Sequence, residues 1–145
     1  MTATTAQTST VAIDRGIRWG RVVGIAFALE VVLFAVLVPI QQLLGLTAWF
    51  AAVAIGCLVF GYAAGRWVAR GVTTRPALHG VLVGAVATLI YLAICALAPG
   101  GIPAAAAVYG TPLYVLNNAL RIAGCALGAV HQERRRAPTQ AGGSA

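Results

Sequence analysis

Lysine is absent from this sequence: all ten basic residues are arginines, set against only three acidic residues, Asp14, Glu30 and Glu133. So few carboxylates leave no pair for general acid–base chemistry, and there is no H-E-x-x-H, no G-x-S-x-G and no phosphate-binding glycine loop. An enzyme is therefore not expected. The cysteines, Cys57, Cys95 and Cys125, form no C-x-x-C pair and match no zinc spacing. All three lie within hydrophobic runs and read as small packing residues. The two histidines, His79 and His131, are too few to hold a haem or metal ion without further ligands, so they read as interfacial anchors. No cofactor and no metal site is expected.

Charged residues make up 9% of the chain, against about 25% in soluble proteins. Hydrophobic residues make up 60%, and the mean hydropathy is +0.88. A water-soluble domain of 145 residues cannot bury that much apolar surface. Membrane residence accounts for the deviation. The net charge of +7 does not redirect this reading to nucleic acid, since the arginines form no basic face interleaved with aromatics. They flank the hydrophobic runs, as topology signals and contacts to anionic lipid head groups do.

Residues 1–14, rich in Thr, Ser and Ala, read as a disordered tail. Residues 15–131 form the membrane domain, with spans near 22–40, 47–65, 78–98 and 112–130. Each is long enough to cross a hydrocarbon core of about 30 Å. The first is too long for a cleaved signal peptide and carries Glu30 at its centre. Residues 132–145 read as a second disordered tail. Nine arginines fall alternately on one side: Arg15, Arg18 and Arg21, then Arg66, Arg70 and Arg75, then Arg134, Arg135 and Arg136. The links near 41–46 and 98–111 carry no charge. The positive-inside bias makes the arginine side cytoplasmic, with both termini there, in a bacterial-type inner (plasma) membrane. Trp19, Trp49 and Trp67 lie near span ends, as an aromatic belt requires. The turn-rich start of the third link, Ala98 to Pro103, leads to Ala104–Tyr109, read as a short interfacial helix or a re-entrant piece. The expected fold is all-α: a polytopic four-helix transmembrane bundle, with a faint repeat suggesting two tandem helical hairpins.

That repeat is carried by glycines. Gly20-x-x-x-Gly24 opens the first span and Gly80-x-x-x-Gly84 the third. Gly61-x-x-x-Gly65 closes the second and Gly124-x-x-x-Gly128 the fourth. Small residues at this spacing let helix backbones approach in lipid, so all eight are expected to pack helices in the cytoplasmic half. In the third span Gly80, Gly84, Thr88, Tyr91 and Cys95 share a stripe, with Leu82, Val86, Leu89, Ala93 and Leu97 opposite, toward lipid. In the fourth, Tyr114, Asn117, Asn118, Arg121, Gly124, Cys125 and Gly128 fall on one side. Leu113, Leu116, Leu120, Leu127 and Val130 fall away from it.

Glu30 lies nine residues from Arg21, and Arg121 ten from His131, so both sit near the midplane. Each costs about 2.5–3.5 kcal/mol at a helix centre on insertion scales, and pairing offsets that cost. A candidate intramembrane polar cluster follows: Glu30, Thr88, Asn117, Asn118 and Arg121. Three roles stay open for the two charges: a structural pair fixing helix register, a proton, ion or substrate site, or pairing with another chain.

Gly61-Tyr62-Ala63-Ala64-Gly65-Arg66 and Leu78-His79-Gly80-Val81-Leu82-Val83-Gly84 together resemble a group of small four-span bacterial membrane proteins. That resemblance implies the architecture and no activity. Ala28-Leu29-Glu30-Val31 is similar to the first span of small multidrug-resistance transporters, where a membrane glutamate couples proton and cation movement. The long N-terminal tail, the later spans and Arg121 depart from that pattern. The expected function is that of a structural or accessory four-span protein, a homo-oligomer or part of a larger membrane complex. The alternative is a small oligomeric transporter or channel using Glu30 and Arg121.

Overall fold

The computed structural model describes residues 16–141, and side chains through Arg136. Four helical elements and no strand occur among them: α1 (Trp19–Arg70), α2 (Pro76–Leu97), α3 (Gly101–Tyr109) and α4 (Thr111–Ala141). Three helices, α1, α2 and α4, are long and apolar enough to cross a membrane.

A straight helix of 52 residues would extend about 78 Å. Instead α1 doubles back at Gly45, whose φ of 80° and ψ of −179° interrupt the helix. That conformation is essentially reserved for glycine. The turn brings Arg21 against Trp67, with Nη2 donating to the Trp67 carbonyl at 2.8 Å. α1 therefore has a first arm before Gly45 and a second arm after it, and the stretches 22–40 and 47–65 expected as spans fall one on each arm. There is no loop between them: residues 41–44 stay helical. α2 starts with Pro76 in its first turn, where the missing N–H costs nothing. It ends at an extended Ala98, and Gly100 and Gly101 make the turn into α3 with φ of 80° and 63°. A single residue, Gly110, separates α3 from α4.

The bundle interior is rich in small side chains, beside the larger Ile25, Leu29 and Leu33. Val22, Val68, Val83, Cys57 and Cys125 are the largest fully buried ones. Other large hydrophobics point outward: Phe27, Leu89 and Leu127 are 60%, 63% and 58% exposed. α4 is the element that the glycines accommodate. A Cβ on Gly65 would collide with the Cys125 backbone, and one on Gly128 with the Tyr62 carbonyl. A Cβ on Gly61 would lie 2.9 Å from the Arg121 carbonyl, and one on Gly124 2.6 Å from that of Leu58. On α2, a Cβ on Gly84 would come within 2.6 Å of Ile122 Cα, and one on Gly80 within 2.5 Å of the Cys125 carbonyl. The second arm and α2 thus both meet α4 backbone to backbone.

Several expectations need correction. Gly20 and Gly24 face outward, with nothing within 4 Å of an added Cβ, so the first glycine pair packs no helix. Leu82, Val86 and Leu120, expected toward lipid, pack against the buried core, because the interhelical contacts wrap further round α2 and α4 than the polar stripes do. The expected tail at 1–14 lies outside the described residues. From residue 132 the chain does not lose structure as expected: α4 runs on to Ala141. Arg136 explains part of this, donating to the carbonyls of Arg70 at 2.7 Å and Val72 at 2.9 Å. With Arg18 donating to the Gly71 carbonyl at 3.1 Å, arginines from two other segments satisfy the end of α1.

His79 is buried and not an interfacial anchor. Its Nε2 accepts the Arg18 backbone N–H at 3.4 Å, and its Nδ1 lies 3.0 Å from the Arg75 carbonyl. A neutral ring protonated on Nδ1 satisfies both contacts. Arg75 is the one non-glycine residue with positive φ among the described residues, at 50°, and this ring helps to hold it. His131 accepts from Arg135 Nε at 2.6 Å and meets Tyr62 edge-on.

Candidate functional site

The hairpin in α1 carries Glu30 on its first arm to the same level as Arg121 of α4. Both are buried, at 2% and 5% exposure, and Arg121 Nε lies 3.3 Å from Glu30 Oε1. The Nε–H is not aligned for a hydrogen bond, so the contact is an ion pair by distance alone. The rest of the guanidinium is held on three sides. Nη1 donates to Asn118 Oδ1 at 3.5 Å, Nη2 lies 3.9 Å from Cys57 Sγ, and the group sits 4.7 Å over the Tyr91 ring. Asn118 is in turn fixed by donating to the Tyr114 carbonyl at 2.9 Å.

Above this pair lies a cavity of about 130 Å³. Glu30, Asn117, Asn118 and Arg121 form its polar floor, while Leu33, Phe34, Leu37 and Val53 line it with apolar surface. Trp49, Tyr91, Tyr109 and Tyr114 supply aromatic walls. Helix α3 buries none of its residues, yet its last one, Tyr109, stacks on Trp49 at 4.8 Å between ring centres. Tyr109 also lies 6.1 Å from Tyr114, which is 6.0 Å from Tyr91. These separations are typical of interacting aromatic rings.

The polar atoms on this lining are unevenly satisfied. Both amide atoms of Asn117, Trp49 Nε1 and both Glu30 oxygens are buried without a hydrogen-bond partner among the described residues, and the buried Tyr114 hydroxyl has only the weak Cys95 thiol set against it. Unpaired buried polar groups are uncommon in folded proteins. Arg21, Arg66, Thr88 and Gln132 also carry such atoms, but the largest group of them lines this cavity and gives it both donors and acceptors.

Of the five residues of the expected polar cluster, Glu30, Asn117, Asn118 and Arg121 lie together. Thr88 does not line the cavity; α2 contributes Tyr91 instead. Trp49 and Tyr109 were not legible as site residues. They meet only because Gly45 turns α1 and Gly110 ends α3 beside it. Cys57, Cys95 and Cys125 are free thiols, all buried. Among the described residues, no three His, Cys, Asp or Glu side chains come together.

Compared with protein-family models, with curated proteins and with solved structures, the chain matches none. The two local resemblances find no support there, and the functional reading rests on the geometry.

Proposed function

We propose that the chain is a multi-pass protein of a bacterial-type cell membrane, crossing it four times with both termini cytoplasmic. The observation that carries this reading is the outward-facing apolar surface, with large side chains such as Phe27, Leu89 and Leu127 exposed while the helices meet backbone to backbone at glycines. Water would penalise such a surface, whereas lipid accommodates it and leaves close backbone packing as the cohesive force. The two arms of α1, with α2 and α4, supply the four crossings. The arginines bonded to the end of α1 gather at one end of the bundle, opposite Gly45, and that end faces the cytoplasm and anionic head groups.

Its role is structural or accessory and not enzymatic, in a homo-oligomer or a larger membrane complex. The Glu30–Arg121 pair fixes the register of the first arm against α4. The second reading, a small transporter or channel, draws on the cavity that reaches this pair. The glycine contacts beneath it leave backbones touching in the other half of the bundle, which favours the first reading.

Reporter fusions test the topology. Fusions after Gln42 and Gly101 are expected to report the extracytoplasmic side, and those after Gly71 and Arg136 the cytoplasm. A cytoplasmic signal at Gly101 overturns the four-crossing arrangement. Liposomes holding the protein are expected to show no cation or proton flux; saturable flux abolished by Glu30→Gln would establish the transport reading.

A further inference from the structure

We propose that the cavity over Glu30 and Arg121 is a binding site for a neutral, single-ring aromatic molecule bearing a hydroxyl group, the phenol class. The cavity lies between the helices and opens to the surface beside the exposed Phe34 and Val38, and its lining is the same whatever the topology or the accessory role.

Size sets the first limit. A cavity of about 130 Å³ is close to the roughly 150 Å³ of an engineered void that takes up benzene. A single ring matches that volume. The walls set the second limit. Trp49, Tyr91, Tyr109 and Tyr114 present ring faces and edges from four different segments, and a flat apolar guest fills such a space with favourable stacking.

Charge sets the third. Glu30 and Arg121 neutralise each other at 3.3 Å, so the floor has no surplus charge. A carboxylate guest would face Glu30, an ammonium guest would face Arg121, and either would lose its hydration without a free counter-ion. The open valences decide the polar group. Asn117 is 6% exposed with neither its amide oxygen nor its nitrogen paired among the described residues, and the Tyr114 hydroxyl, on a residue 8% exposed, has the Cys95 thiol beside it, a weak hydrogen-bonding group. The free oxygen of Glu30 only accepts, while Trp49 Nε1 only donates. A guest hydroxyl donates one hydrogen bond and accepts another, so one compact group serves both kinds. Pockets with mostly apolar lining and a few convergent polar groups are the usual form of small-molecule sites.

The test is a titration of the full-length protein in detergent with 4-fluorophenol, followed by fluorine NMR. Fluorobenzene, 4-fluorobenzoate and 4-fluorobenzylammonium are run beside it. Saturable binding of 4-fluorophenol is expected, about tenfold tighter than that of fluorobenzene, as one or two neutral hydrogen bonds provide. Both ionic probes are expected to bind more weakly than 4-fluorophenol. Tyr114→Phe keeps the ring and removes the hydroxyl. It is expected to weaken 4-fluorophenol about threefold to tenfold and leave fluorobenzene unchanged. Val53→Phe, placed in the wall, is expected to abolish binding of both, with an unchanged melting temperature showing that the variant is folded. Equal affinity for fluorobenzene and 4-fluorophenol would reduce the site to an apolar void and overturn the proposal. Preference for either ion would make it a charge site and also overturn it. No saturable binding of any probe would overturn the proposal as well.

Discussion

Gly128 of α4 lies against the backbone of Tyr62 in the second arm of α1, so close that a side chain at 128 would occupy the position of the Tyr62 carbonyl. The two helices touch without side chains between them. Gly128→Ala is expected to lower stability by about 1–3 kcal/mol, because neither backbone can yield without shifting a helix. Gly24→Ala, with open space around the added carbon, is expected to be neutral or stabilising by about 0.5–1 kcal/mol. Thermal melting in one detergent compares them, and equal losses would mean that α4 does not pack as described.

Removing one member of the buried ion pair leaves the other uncompensated, at about 3–5 kcal/mol for such pairs in protein interiors. A lone Glu30 can take up a proton, whereas a lone Arg121 keeps its charge. Glu30→Gln is therefore expected to destabilise more than Arg121→Gln. The double variant is expected to lose less than the sum of the two. A double-mutant cycle in melting free energy measures the coupling, and strict additivity would show that the contact contributes nothing.

Gly45 has no neighbour within 4 Å of an added Cβ, so a substitution there tests backbone conformation alone. Gly45→Ala and Gly45→Asn are both expected to cost about 1–3 kcal/mol. Asparagine gives no relief, because it tolerates the left-handed helical region but not an extended ψ at positive φ. Unchanged melting for the asparagine variant would mean that the turn uses a different conformation.

Arg136→Gln removes two hydrogen bonds to the end of α1 and is expected to cost about 1 kcal/mol, discounted for partial exposure. Arg135, which contacts His131 on its own helix, is the control. Amide exchange should accelerate around 68–72 in the first variant and stay unchanged in Arg135→Gln. Equal exchange in both would show that the arginine cap is not formed.

Much of the candidate site was legible before any tertiary contact was known. Asn117, Asn118 and Arg121 share a face of α4 by helical spacing, and counting residues from the span ends puts Glu30 at the same depth as Arg121. Thr88 met the same depth criterion and lies off the cavity, because depth constrains height along a helix and not its rotation. Trp49 reads as a belt residue from its position near a span end. Its partner Tyr109 is sixty residues away in sequence, and no local pattern links them.

What the sequence by itself determined were the properties that act over a few residues. These are the four apolar stretches, the sidedness of the arginines, the glycine spacing and the depth of the two charges. Hydropathy and the 3.6-residue period are local, so they survive without knowledge of neighbours. Tertiary structure decided which of the equivalent-looking features are used. Gly61, Gly65, Gly80, Gly84, Gly124 and Gly128 meet a helix while Gly20 and Gly24 meet nothing. Leu82, Val86 and Leu120 turn to the core, and Arg136 reaches Arg70 across 66 residues of chain. Each of these depends on how far one helix is rotated against another, and that angle is set jointly by all the contacts of the bundle.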